Sequence, residues 1–281
     1  MTRTRMLTLL AGVLSASIAV LGLANPAQAA GHHYVALGDS YASGVGAGSY
    51  TAESGNCKRS TKAFSALWAA ANAPASYKSV ACGGAKTTDV INSQVAALSA
   101  QTTLVSITIG GNDAGFGNIM STCALQGSSA CIAAVDAAQV QARANLPGLL
   151  DRAYAAIRSK APNAKVVVLS YPAFYQLGTV CVGIGEAARA KVNEGINLAD
   201  SLIAAAAARA GFTFADVRSI FVGHQICSGN KWIHSVDFLN LSNSYHPMAT
   251  GQANGYLPVF TAAVGQSAAK KAGAKKAGAR A

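Results

Sequence analysis

The chain has 281 residues, of which 51% are hydrophobic and only 12% charged, with 22 Lys+Arg against 11 Asp+Glu for a net charge of +11. That composition excludes an intrinsically disordered chain, which combines low apolar content with dense charge, and a coiled coil, which needs sustained Glu/Lys-rich heptads. It also excludes a multi-spanning membrane protein, because apolar runs of spanning length do not recur after the first.

Residues 1–29 read as a secretory signal peptide. Arg3 and Arg5 give a basic start, Met6–Ala24 is nearly all apolar, and Asn25-Pro26 breaks the run. Ala27-Gln28-Ala29 then supplies the small-x-small pattern of a cleavage site, which favours secretion over the competing reading of a membrane anchor. Loss of Arg3 and Arg5 takes the net charge to +9, and five further cations (Lys270, Lys271, Lys275, Lys276 and Arg280) sit in the last stretch without an acid, leaving +4 on the body. Residues 267–281 are therefore expected to be a disordered basic tail, since Ala, Gly and Lys offer no apolar face to bury. A solvated appendage is favoured over an attachment to anionic cell wall, membrane or nucleic acid. No basic stretch interleaves with aromatics, so no nucleic-acid partner is expected.

The body, residues 30–266, alternates strand and helix patterns. Tyr34–Leu37 is a short apolar strand ending at Gly38-Asp39-Ser40, Ala63–Ala71 has helical composition, and Ser79–Ala81 is a short strand before Cys82. Thr87–Leu98 carries Val90, Ile91, Val95 and Leu98 at helical spacing with Thr87 or Thr88 as N-cap. Leu104–Ile109 is a β-branched strand closed by Gly110-Gly111, and Val135–Ser159 is a helix with an irregularity at Pro147. Lys165–Leu169 and Phe212–Val217 read as strands around an Ala-rich helix, Glu186–Ala210, and Thr250–Val264 is a last helix bent or broken at Pro258. No repeat and no linker divides this stretch, so it is expected to be one α/β domain around a parallel sheet.

Six cysteines in an exported chain read as three disulfides, and the paired Cys-x-x-Cys spacing of a zinc site is absent from the sequence. Many connectivities are open; the sequential pairing Cys57–Cys82, Cys123–Cys131 and Cys181–Cys227 has the shortest separations and is the expectation here.

Functional groups in parallel α/β folds gather at the carboxyl ends of strands. Gly38-Asp39-Ser40 follows the first strand, Cys82-Gly83-Gly84-Ala85 the second and Gly110-Gly111-Asn112-Asp113 the third, and Ser244-Tyr245-His246-Pro247 lies near the end. A serine attacks a carbonyl only when a base takes its proton and donors hold the oxyanion, which paired glycines and an Asn amide can supply. Each motif alone also fits an ordinary turn or cap. The nucleophile elbow Gly-x-Ser-x-Gly does not occur. Of the five histidines, His32 and His33 lie at the start of the body and His224 and His234 in polar loop-like stretches, which leaves His246 as the candidate base.

Taken in order, Gly-Asp-Ser, Gly, Gly-Asn-Asp and His-Pro resemble the SGNH (GDSL) hydrolase superfamily over Gly38–Pro247, and Ala36–Tyr41, Cys82–Ala85 and the six cysteines resemble its secreted actinobacterial lipase and phospholipase A1 branch. The resemblance implies a flavodoxin-like three-layer α/β/α sandwich and hydrolysis of carboxylic esters through an acyl-enzyme, without metal or organic cofactor. It implies Ser40 as nucleophile, His246 as general base and acid, and an oxyanion hole of the Ser40 N–H, the Gly84 N–H and the Asn112 amide. Most of the superfamily carries Asp three residues before the His, where this chain has Asn243. A Ser–His dyad is therefore expected, with the Ser244 main-chain carbonyl orienting the imidazole and Asn243 a secondary candidate. Asp39 and Asp113 are expected to organise loops.

The implied substrates are lipid esters, with Phe116, Ile119, Met120, Phe174 and Tyr175 as candidates for an acyl groove, transient contact with a lipid surface, and a monomeric state. A carbohydrate acetyl or aryl esterase is the enzymatic alternative, and a secreted cell-wall-binding module acting through the tail is the non-enzymatic one.

Overall fold

The computed structural model describes residues 31–265, so the expected signal peptide at 1–29 and basic tail at 267–281 lie outside the described residues. Five strands, β1 (His33–Gly38), β2 (Ser76–Ser79), β3 (Leu104–Thr108), β4 (Lys165–Leu169) and β5 (Thr213–Ala215), form an all-parallel sheet in the order β2-β1-β3-β4-β5. The centre of the sheet is covered on both faces. Alternate residues of a strand point to opposite sides, yet Tyr34, Val35, Ala36 and Leu37 are all buried, as is every residue of β3. This is the flavodoxin-like three-layer arrangement, and its strand order reverses between β1 and β3, where a crevice opens outside the strand ends.

The helices are α1 (Ser40–Ser43), α2 (Phe64–Asn72), α3 (Thr87–Asn92), α4 (Phe116–Lys160), α5 (Glu186–Arg209) and α6 (257–265). Aromatic packing fixes one side of the sheet: Trp68 and Phe64 of α2, Tyr256 and Phe260 close around Tyr34 of β1. Elsewhere the Ala-rich α5 lies along α4 and packs on β4 and β5, its small side chains Ala188, Ala199, Ala206 and Ala207 being buried. Among the described residues no helix is long and apolar enough to cross a membrane.

Four local expectations are corrected. The second strand pairs with β1 over Ser76–Ser79, earlier than Ser79–Ala81, although the chain still donates from Val80 N to Ala36 O and from Cys82 N to Gly38 O. The N-cap of α3 is Lys86, not Thr87 or Thr88, because the free N–H groups there find carboxylates: Asp89 accepts from Lys86 N and Asp113 from Thr87 N. The break in α4 falls at Gly127, which adopts φ +81° and ψ −177°, while the chain stays helical through Pro147. Residue 143, whose carbonyl loses its bond to Pro147, is solvent-exposed. Finally, the chain before Pro258 opens into a π-helical turn over Gly251–Tyr256 rather than breaking.

The disulfides are Cys57–Cys82, Cys123–Cys131 and Cys181–Cys227. The first secures the loop after β2, where Gly83 N also donates to Cys57 O. The second spans the Gly127 break in α4.

Candidate active site

Ser40 is the first residue of α1, immediately beyond β1. Its position is fixed from beneath. Gly38 turns at φ +118°, and a Cβ there would lie 2.3 Å from the Thr108 carbonyl oxygen, so the close approach of β1 to β3 needs a glycine. The buried Gln94 clamps the same residue, accepting from Gly38 N at 2.7 Å and donating to Gly38 O at 2.9 Å.

Asp39 is the N-cap of α1 and lies under the serine. Its Oδ1 accepts from Tyr41 N at 3.0 Å and from Thr108 Oγ1 at 2.7 Å, and its Oδ2 accepts from the Tyr171 hydroxyl. That hydroxyl in turn accepts from Gly111 N at 3.1 Å, so Tyr171 joins the loop after β1 to the loop after β3. Burial pushes the Asp39 carboxyl up to about 6, against the lowering effect of these donors.

The loops after β2 and β3 are joined separately. Asn112 Nδ2 donates to Ala85 O at 2.9 Å, which leaves its second amide hydrogen unspent, and Asp113 accepts from both Thr87 N and Thr87 Oγ1. Both Asp39 and Asp113 thus bond to neighbouring loops. Among the described residues neither Ser40 N–H nor Gly84 N–H donates to another protein group. Both residues line one open groove together with Asn112 and His246.

His246 comes from a different part of the chain and meets Ser40 with Nε2 2.7 Å from Oγ. Its Nδ1 lies 2.9 Å from the Ser244 carbonyl, which can only accept, so the proton sits on Nδ1 and the Nε2 lone pair faces the hydroxyl. Burial drives the imidazole down to about 4, the Ser244 and Asn243 carbonyls working the other way, so the ring is neutral at ordinary pH. The preceding residue, Tyr245, is held at φ +64°, a region that costs a non-glycine residue about 1–2 kcal/mol. Its compensation is visible: the buried Tyr41 hydroxyl donates to Tyr245 O at 2.5 Å, and the Tyr41 ring packs 5.4 Å from the imidazole.

The structure does not bring the Asn243 side chain to His246. Its Oδ1 accepts from the Tyr50 hydroxyl at 3.4 Å and its Nδ2 donates to Asp237 at 3.3 Å, while only its main-chain oxygen meets the His246 backbone N–H. Nor does any carboxylate accept from the ring: Nδ1 is engaged by Ser244 O. Of the other histidines, His234 donates through Nε2 to Gly46 O and its backbone brackets the His246 segment, a supporting position.

A narrow apolar cavity leaves Ser40 between α4 and α5, lined by Phe116, Ile119, Met120 and Phe174 among others. Tyr175 is not among its lining residues and packs instead beside Tyr245. Gln94, Tyr171 and Tyr41 carry no sequence signal that separates them from ordinary core residues; only their register against the strand ends reveals them.

Comparison with known proteins places these features. The model of the GDSL-like lipase/acylhydrolase family matches residues 36–253. Lipase 1 of Streptomyces coelicolor is 52% identical over 92% of this chain and 95% of its own. The crystal structure of phospholipase A1 from Streptomyces albidoflavus superposes with a TM-score of 0.81 at 53% identity, covering 83% of this chain and 99% of that one. The structure of an extracellular lipase from Streptomyces rimosus gives 0.80 at 52% identity, covering 82% of this chain and 98% of the other. With the matched region running from the strand before Ser40 to beyond His246, the chain belongs to the GDSL-like lipase/acylhydrolase family.

Proposed function

We propose that the protein is a secreted lipase of phospholipase A1 type, a carboxylic ester hydrolase that cleaves lipid acyl esters through a Ser–His dyad. The observation that carries this reading is the 2.7 Å approach of His246 Nε2 to Ser40 Oγ with the tautomer set by Ser244 O. Ser40 Oγ attacks the ester carbonyl as its proton passes to His246 Nε2. The negative charge on the former carbonyl oxygen is taken up by Ser40 N–H, Gly84 N–H and the unspent Asn112 amide hydrogen, all on the groove wall. His246 returns the proton to the leaving alcohol, leaving the acyl group on Ser40 Oγ. Water then attacks that ester, giving its proton to Nε2, and the serine oxygen recovers it as the fatty acid departs.

The Ser244 carbonyl stabilises the imidazolium by a charge–dipole contact, weaker than the charge–charge contact a carboxylate provides. The low basicity of the ring in the free protein comes first from burial, which the Ser244 and Asn243 carbonyls offset only in part.

The apolar cavity between α4 and α5 suits an acyl chain, and the open groove that meets it at Ser40 suits the alcohol portion. The names of the relatives, lipase and phospholipase A1, support lipid esters as the substrate class. Secretion is supported by the signal-peptide pattern at 1–29 and by the relative described as extracellular, and a monomer suffices because Ser40 and His246 come from one chain. A substrate panel tests the reading: long-chain nitrophenyl esters and phosphatidylcholine labelled at either acyl position should be turned over, with release from sn-1. Preference for acetylated xylan would replace the lipid reading by that of a carbohydrate esterase.

A further inference from the structure

The open groove is rimmed by side chains that a soluble surface does not ordinarily leave bare. Leu125 is 81% exposed, Phe238 84%, Leu239 93% and Leu241 67%, and all but Leu239 line the groove that holds Ser40 and His246. Scattered apolar residues on a surface carry little meaning, but a cluster around one opening marks an interaction site.

The loop that bears three of these residues is built to hold them outward. Asp237 Oδ1 accepts from Leu239 N and Asn240 N, and its Oδ2 takes the Asn243 amide. Asp237 N donates to Ser244 Oγ, which ties the base of the loop to the residue whose carbonyl holds His246. The one acid of this loop thus has its oxygens turned to the loop's own N–H groups. Among the groove's lining residues Lys58 is the single formal charge when His246 is neutral, and its ammonium donates to Ser242 Oγ on the same rim.

We propose that Leu125, Phe238, Leu239 and Leu241 are a docking surface for a phospholipid aggregate, the apolar side chains entering the acyl layer while Lys58 meets headgroup phosphate. This rests on the lipid-ester reading and deepens it by naming the physical form in which substrate is met. Two features select a lipid surface over a protein. A protein seated here would cover the groove through which an ester must reach Ser40, whereas a lipid aggregate delivers the ester through that opening. The combination of exposed Leu and Phe beside one cation also matches an interface that is apolar below and phosphate-bearing above.

The test is vesicle partitioning with dialkyl phosphatidylcholine, whose ether links cannot be hydrolysed and whose net-neutral headgroups give the basic tail no net field to follow. Protein beginning at Ala30, without the apolar run of the expected signal peptide, should co-float with the vesicles. Leu239→Asp, at a side chain outside the groove lining, should reduce partitioning about tenfold or more, while turnover of a soluble short-chain nitrophenyl ester stays unchanged. Val140→Asp adds the same charge at an exposed position of α4 away from the rim and should leave both readouts as they were. Equal partitioning of Leu239→Asp and Val140→Asp, or wild-type protein that hydrolyses the soluble ester without binding vesicles, would overturn the docking surface and spare the hydrolase. A wild-type dimer in sedimentation that Leu239→Asp dissolves would assign the patch to a second copy and overturn it too. Absence of soluble-ester turnover in the wild type would instead bring down the hydrolase reading, and the proposal with it.

Discussion

Ser40 and His246 reach each other from unlike surroundings. Ser40 follows a buried strand whose end is locked to β3 by Asp39 N donating to Thr108 O and to the core by Gln94. His246 lies in a stretch without strand or α-helix, attached by one isolated bridge between Ile233 and Pro247, a left-handed Tyr245 and the Tyr41 hydroxyl. One partner is placed by the sheet, and the other is brought to it by a few side chains separated from it by some two hundred residues. The two surroundings also shift their titratable groups in opposite senses: Asp39, beneath Ser40, is pushed up to about 6 and His246 down to about 4, because low dielectric favours the neutral form of each.

The comparison breaks first at the pair itself. Ser40→Ala and His246→Ala should each lower kcat/KM by about 10⁴-fold, and the double variant should lose little more, because in the proposed dyad the two act as a unit. Steady-state kinetics on a soluble nitrophenyl ester, with circular dichroism to check folding, reads this out. On the sheet side, Gly38→Ala forces a Cβ to 2.3 Å from Thr108 O at φ +118° and should cost at least ~3 kcal/mol in urea unfolding. If it unfolds like the wild type, the strand end is less constrained than the contacts imply.

The electrostatic contrast gives a pH prediction. In the proposed mechanism, protonation of Nε2 removes the lone pair that takes the serine proton, so activity falls as pH drops through the imidazole value. With His246 held at about 4, kcat/KM should stay level well below the usual histidine range and decline only near that pH. An acid limb centred near 6.5, the value of a free imidazole, that persists in Asp39→Asn would show that the ring is not desolvated in the working enzyme, since Asp39 itself is held at about 6.

On the loop side, Tyr41→Phe removes the donor to Tyr245 O and leaves a buried carbonyl unpaired, worth about 1–3 kcal/mol. Part of that cost should appear as a loosened His246: kcat about tenfold lower with KM within about twofold. The smallest effect belongs to Asn243→Ala, whose side chain makes only two long hydrogen bonds, to Tyr50 and Asp237. Activity should remain within about threefold of wild type; a loss as deep as that of His246→Ala would show that Asn243, not Ser244, holds the ring.

This asymmetry also explains what was legible in the sequence. Strands β1, β3 and β4 announce themselves as short apolar runs closed by glycine or a polar turn, and the motifs at their ends follow from those boundaries. Lys165–Leu169 is found at its expected bounds. The edge strand β2 does not announce itself, because Ser76 and Lys78 are exposed, Tyr77 and Ser79 only half-buried, and the run carries little apolar pattern. The helix begins at Phe116 rather than at the expected Val135, so the break at Gly127 falls in a stretch with no expected helix to interrupt, while the irregularity expected at Pro147 does not end the helix. Likewise His246 is legible only as part of an ordered set of motifs. Tyr41, Gln94 and Tyr171 are silent, because a buried hydroxyl or amide acquires meaning only from the partner that folding places opposite it.

Organophosphate labelling tests the pairing of Ser40 with His246 most directly. Incubation with diethyl p-nitrophenyl phosphate and peptide mass spectrometry should find a single diethylphosphoryl adduct, on Ser40, that does not form in folded His246→Ala. An adduct on another residue, or labelling of Ser40 at the wild-type rate without the imidazole, would contradict a hydroxyl activated by that ring.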